Sequence, residues 1–218
     1  MARAILRANA LRDGENPPGV INSIYLDTKD LGFYFDALNG DDHKQKVRLR
    51  WYGKQRRHDP VTLYLEVKSK RGFVGEKTRR PFEVAGDELG QDRIVATIES
   101  LNLNAHLPAL GFRGVAWLRP ILQVTYQRHR FVDALTVTPI SLDLVIRSRL
   151  MDQAIVASPG WLELRNADIE IKGNEPRIPA CFRNLRTYMP VWTSFSKYAR
   201  CLEQHFERPG SAGWLTAL

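Results

Sequence analysis

Lys46-Val47-Arg48-Leu49-Arg50-Trp51-Tyr52 alternates strictly, with a cation or the closing tyrosine at one parity and an apolar residue at the other. Successive side chains on an extended strand point to opposite faces. Lys46, Arg48, Arg50 and Tyr52 therefore share one face, and Val47, Leu49 and Trp51 the other. The same split recurs along the chain. In 63–70, Tyr64, Glu66, Lys68 and Lys70 oppose Leu63, Leu65, Val67 and Ser69. In 168–172, Asp168, Glu170 and Lys172 oppose Ile169 and Ile171, and around Asp143 the set Ser141, Asp143 and Arg147 opposes Ile140, Leu142, Leu144 and Ile146.

An antiparallel sheet with its polar face in water produces the same alternation. Two features argue for an enclosed charged face instead. Cations outnumber anions there and sit two residues apart, where they repel unless an anion lies between them. Sheets with many strands also close or nearly close because closure removes exposed edges. If helices cover such a barrel from outside, its apolar face points outward to them and the charged face lines the interior.

Around these strands the chain reads as one domain, residues 1–207, with a loose tail at 208–218. Its 218 residues suffice for one substantial core, and a net charge of +8 points to an acidic partner. Neither repeat nor linker divides it. Cys181 and Cys201 lack the spacing of a disulfide framework or zinc site, and the five histidines show no pair at ligand spacing. Trp51, Trp117, Trp161 and Trp192 are read as core or rim packing. No stretch approaches a membrane span and no signal-peptide core follows Met1, so a cytoplasmic protein is expected.

The patterns predict a helix over 2–10, strands near 20–27, 46–52, 61–70, 73–84, 120–132, 137–149 and 167–173, and a helix over 87–101 capped by Asp87. Two further helices are expected over about 180–188 and from 194–196 to about 205. The fold class is α+β: an antiparallel β-barrel with helices packed outside and at the C-terminus.

Asn22-Ser-Ile-Tyr-Leu-Asp-Thr28, Lys46-Val-Arg-Leu-Arg-Trp-Tyr-Gly53 and Leu65-Glu-Val-Lys-Ser-Lys70 together resemble the VTC domain. Tyr126-Gln-Arg128 with Phe131, Ile140-Ser-Leu-Asp143, Ile169-Glu-Ile-Lys172 and Ser194-Phe-Ser-Lys-Tyr198 extend the likeness in order, over about 20–203. That family includes the polyphosphate polymerase domain of the vacuolar transporter chaperone complex and bacterial relatives. It is akin to the triphosphate tunnel metalloenzymes, which have an eight-stranded antiparallel tunnel. The resemblance implies a tunnel that binds polyphosphate and ATP or another triphosphate, and transfers phosphoryl groups with a divalent metal, Mn²⁺ or Mg²⁺.

The residues carried over are Arg48 and Arg50 as paired phosphate grips, Lys68 from the E-x-K strand and Arg128 from Y-x-R. Lys77 follows the hairpin, with Arg79 or Arg80 as helper. Lys172 and Lys197 stand at the tunnel wall, and Glu170 is the metal carboxylate. Arg48, Arg50, Lys68, Arg128 and Lys197 form the expected catalytic set. Glu66 reads as an ion-pair partner for neighbouring cations rather than a metal ligand.

Two departures stand out. Met1–Asn9 matches the family's first helix, so the strand before it is absent from this sequence and about seven of eight strands are expected. Either the reading frame starts upstream or the tunnel has a gap, whose unpaired edges would invite a homodimer. Pro139 stands where relatives carry an arginine four residues before Asp143, and Arg147 is the candidate substitute. Three functions stay open beside the polymerase. Inorganic triphosphate hydrolysis and non-catalytic sensing of polyphosphate or nucleotide both fit the tunnel. Nucleic-acid binding fits the charge but no recognised motif, and is not expected.

Overall fold

The computed structural model describes residues 2–41, 43–72, 74–114, 117–152, 154–155, 160–172, 179, 182 and 196–207. The elements are α1 (Ala2–Asn9), β1 (Leu11–Arg12), β2 (Gly19–Asp27), α2 (Gly32–Asn39), β3 (His43–Tyr52), β4 (Pro60–Arg71), β5 (Val74–Ala85), α3 (Ile94–Ser100), α4 (Leu103–His106), β6 (Arg119–Val132), β7 (Pro139–Leu150), β8 (Leu162–Glu163), β9 (Asp168–Ile171) and α5 (Lys197–Phe206). The predicted helix over 180–188, Trp192, Cys181 and the tail over 208–218 lie outside the described residues.

All nine strands join one antiparallel sheet ordered β5-β4-β3-β2-β6-β7, with β8 and β9 on the far side of β7 and the short β1 on β6. The seven expected strands are the seven long ones. Two consecutive residues at the start of α5, its N-cap Ser196 and Lys197, show how far the sheet curls. Ser196 accepts a hydrogen bond from Lys46 on β3 at 3.0 Å, while Lys197 reaches Asp143 on β7 at 2.8 Å and Asp168 on β9. The two flanks of the sheet thus face each other around the start of α5, giving a tunnel-like architecture. Among the described residues it is not closed, for β5 and β9 share no ladder.

The alternation resolves as expected. Ile24, Leu26, Val47, Leu49, Trp51, Leu63, Leu65 and Val67 point outward into a core with Ile94, Ile98, Leu103 and Leu107 of α3 and α4. A second outward cluster packs Leu6 of α1 and Phe182 against Phe131, Ile140 and Leu142. The buried apolar area of these clusters, at roughly 25 cal/mol per Å², is what holds the helices on.

Two expectations are corrected, and the seat of α5, which the sequence left open, is found. The helix over 87–101 is broken: Gly86–Leu89 forms a single 3₁₀ turn, and α3 begins only at Ile94. Asp87 lies inside that turn and accepts from Arg93 at 2.5 Å instead of capping a helix. Helix α5 packs on the inner face, where Tyr198 stacks on Tyr25 at 5.1 Å and His205 meets Ser148 at 3.1 Å. With Leu122, Val124 and Ile146 it fills one end of the interior with apolar side chains.

The second correction concerns Arg147. Arg128 pairs with Asp143 across β6 and β7, yet Thr125 pairs with Arg147, so the ladder shifts register between Thr125 and Gln127. Val145, at φ 51°, is the extra residue of the resulting bulge. Beyond it the parity inverts. Ile146 joins the inner core, and Arg147 turns outward to an exposed pair with Glu163 at 2.8 Å. Arg147 cannot substitute inside the tunnel for the arginine that Pro139 replaces.

Candidate phosphate-binding tunnel

Cross-strand register builds the inner wall in rows. Lys46, Lys68 and Lys77 stand side by side on β3, β4 and β5. The next row is Tyr25, Arg48, Glu66 and Arg79, and the next Ser23, Arg50 and Tyr64. Arg79 lies over the Tyr64 ring at 4.8 Å, whereas Arg80 lies over Phe82, which packs with the outer core; of the two candidate helpers only Arg79 faces inward. A row of three lysines on neighbouring strands is unfavourable by itself, since like charges directly opposite repel.

Carboxylates relieve part of that repulsion. Glu66, 1% exposed, takes Arg48 at 2.7 Å and Lys77 at 2.6 Å, with Arg50 at 4.0 Å. Burial opposes its charge, but Arg48, Lys77 and Arg50 outweigh burial and hold the carboxyl below its ordinary range. Burial likewise opposes the charge of Arg48, and Tyr25 and Glu66 override it. Arg50 donates to the Ser23 hydroxyl at 3.2 Å and to the Tyr126 hydroxyl at 3.3 Å.

On the opposite flank Arg128 grips Asp143 with two parallel bonds of 2.7 and 2.8 Å. This fork geometry is the strong form of the pair. Glu170 lies 3.6 Å from Arg128, and Lys197 bridges Asp143 and Asp168 under the Tyr126 ring. Burial disfavours the Asp143 charge, yet Arg128 and Lys197 keep its carboxyl low. Asp168 goes the other way: burial raises it, and the neighbouring Asp143 and Glu170 charges add to the rise.

Lys172 follows β9, its ammonium pushed down by burial and by Arg128, Arg130 and Lys77. The inner face of the curled sheet carries Arg48, Arg50, Arg128 and Lys197 at buried or half-buried positions and Lys68, Lys77, Arg79, Glu170 and Lys172 at exposed ones, while Arg147 lies on the outer face.

Sequence reasoning left Lys46 out of the site, although it stands first in the alternating stretch. It sits amid Lys68, Arg48, Lys44 and Lys197, and burial together with these charges pushes its ammonium down to about 8. Asp27 was also missed. It is fully buried, accepts from the backbone N–H of Thr28, Phe33 and Tyr34 and from the Tyr198 hydroxyl, and so ties α2 and α5 to the end of β2.

Among the described residues no three His, Cys, Asp or Glu side chains converge to hold a metal ion. Both Glu66 and Asp143 are already engaged by cations, while Glu170 keeps its carboxylate 46% exposed. The described residues thus offer Glu170, beside Arg128, as a single open carboxylate donor rather than an all-protein cage.

A curled antiparallel sheet with a basic inner wall and helices on its apolar outside defines a tunnel-like β domain. The VTC domain model matches residues 8–206, and the chain belongs to that family. It is similar to vacuolar transporter chaperone complex subunit 4 of Schizosaccharomyces pombe, 33% identical over 75 residues. That stretch covers 34% of this chain and 10% of the yeast protein, so the match spans about a tenth of the relative's length. Among solved structures, a candidate adenylate cyclase from Bacillus halodurans aligns with TM-score 0.48 and 14% identity over 89% of this chain and 87% of the other. A candidate adenylyl cyclase from Hippeastrum, described as having a dominant triphosphatase activity, aligns with TM-score 0.47 and 12% identity, covering 93% of this chain and 88% of that one.

Proposed function

We propose that the interior binds a chain of phosphates and that, with a nucleoside triphosphate and Mn²⁺ or Mg²⁺, the domain transfers phosphoryl groups onto that chain. The observation that supports this best is the row Lys46–Lys68–Lys77 beside Arg48, Arg50 and Arg79 on one face of the curled sheet. Phosphoryl transfer needs little from a protein beyond positioning and charge neutralisation, which forked arginines and lysine point charges provide. Arg48 and Arg50 would orient the phosphates, Lys68 and Lys77 would balance their charge, and Arg128 and Lys197 would face them from the opposite flank. Glu170 would share the metal with phosphate oxygens, and the metal when bound would neutralise charge on the transferred group.

A second reading has its own support. Arg128 is paired with Asp143, and Lys197 with Asp143 and Asp168, an arrangement that suits binding without turnover. The same interior would also suit hydrolysis of inorganic triphosphate. Incubation with ATP and Mn²⁺ or Mg²⁺ separates the three: lengthened polyphosphate on a gel supports transfer, and phosphate released from tripolyphosphate supports hydrolysis. A raised melting temperature without either product supports sensing. Arg48→Ala and the exposed Lys68→Ala should each reduce the polyphosphate-induced thermal shift; unchanged shifts in both would remove the tunnel as the binding site.

A further inference from the structure

Where β3 turns into β4, the inner face opens into a cavity of about 310 Å³ whose lining includes Tyr52, Lys54, Gln55, Thr62 and Tyr64. Tyr52 continues the alternation of Arg48 and Arg50, so its ring lies on the same face one position further out. Tyr64 stands opposite Arg50 in the register. The two rings meet edge-on, 6.2 Å apart at 66°. Arg79 lies 4.8 Å from the Tyr64 ring, whereas Tyr52 is 46% exposed. One aromatic is thus held in place, and the other offers surface to the cavity.

A second observation comes from Gln55. Its Nε2 is buried and has no hydrogen-bond partner among the described residues. A buried amide donor without a partner calls for an acceptor from elsewhere. A bare phosphate chain would find charge at Lys54 but would gain nothing from the exposed ring. A planar heterocycle uses both features, stacking on the ring and accepting from the amide. Two residues of strand span about 7 Å, so a group at Tyr52 lies roughly one sugar's length beyond phosphates held by Arg50.

We infer that this cavity is a nucleobase subsite, in which the base of a nucleoside triphosphate stacks on Tyr52 and accepts from Gln55 while its phosphates lie along Arg50 and Arg48. The inference rests on the phosphate reading above and adds the donor's orientation: base at the hairpin, phosphates inward. Arg56 and Asp59 also line the cavity.

Calorimetric titration with ATP and with tripolyphosphate, on the wild type and on Tyr52→Ala, Tyr52→Phe and Gln55→Leu, tests it. Tyr52→Ala is expected to weaken ATP on the order of tenfold, the contribution typical of one stacked base. Tripolyphosphate should bind that variant like the wild type, and Tyr52→Phe, which keeps the ring, should retain ATP. Gln55→Leu should weaken ATP alone, by less. Equal losses for ATP and tripolyphosphate, or no loss for ATP, would overturn the subsite while leaving the phosphate site intact. A wild type that fails to bind tripolyphosphate would overturn the phosphate reading and the subsite together. Melting temperatures of the variants show that each is folded.

Discussion

Lys46 is a cation placed among cations, and its behaviour with pH follows from that. Burial, then Lys68, Arg48, Lys44 and Lys197, lower its ammonium from 10.5 to about 8. Between those values the unfolded chain holds a proton that the folded protein has released, so folding stability rises as pH climbs from about 8 towards 10.5. Below about 8 the repulsion is fully present. A bound polyanion reverses the balance by favouring the charged ammonium. Polyphosphate binding at pH 8 should therefore take up roughly half a proton at this site. Calorimetry in buffers of different ionisation enthalpy measures it, and Lys46→Met should reduce the uptake. An undiminished value would assign it to Lys172, whose ammonium is also shifted down, chiefly by burial. Glu66 is the complementary case. Glu66→Gln removes the anion that Arg48 and Lys77 share and should destabilise the ligand-free fold by about 3 kcal/mol, as breaking a buried pair does. Tripolyphosphate should restore much of that loss, so the variant's ligand-induced rise in melting temperature should exceed the wild type's.

At the scale of elements, what alternation could and could not reveal is clear in β3 and β7. In β3 an unbroken period of two fixes which side chains share a face, and Arg48 and Arg50 are found where it puts them. In β7 the same reading carries Arg147 to the wrong side, because a bulge at Val145 adds a residue without any mark in the hydrophobic pattern. A valine at φ 51° is strained. Val145→Gly should relieve this and stabilise the protein by about 1 kcal/mol in chemical denaturation, since the side chain is 40% exposed and little burial is lost. A destabilised variant would argue against the bulge. Strands β1 and β8, two residues each, are too short for any period to show. Helix α2 was missed because it follows Leu31 in a left-handed conformation, its first-turn N–H groups are taken by Thr28 and Asp27 from four to seven residues earlier instead of by the residue before it, and it buries only Tyr34 fully. Periodicity tells which face of a helix is apolar but not which face of the sheet receives it, so the seat of α5 inside the tunnel was illegible. The ion pairs were hidden for a similar reason. Sequence shows the signs of Asp143, Asp168 and Lys197 but not that a curled sheet brings them together.

Across the whole molecule, the apolar outer shell and the apolar end around α5 leave the charged rows as the part of the interior able to take a ligand. Those rows repeat along the strands at about 7 Å, so a linear polyanion meets several in succession whereas a single phosphate meets one. Linked contacts raise affinity beyond the sum of isolated ones because later contacts form within an already bound ligand. Stabilisation by a ligand that binds only the folded state grows with the logarithm of its concentration over its dissociation constant. At equal total phosphate, the melting temperature should therefore rise in the order orthophosphate, tripolyphosphate, longer polyphosphate. Salt provides the control. Attraction between exposed charges fades beyond a Debye length of about 8 Å at physiological ionic strength, while partly buried pairs are screened less. Raising NaCl should accordingly erase any shift with orthophosphate before it erases the shift with long chains. If shifts per phosphate were equal for all three ligands and vanished together with salt, the net charge of +8 would be acting as a diffuse surface attraction rather than through the tunnel.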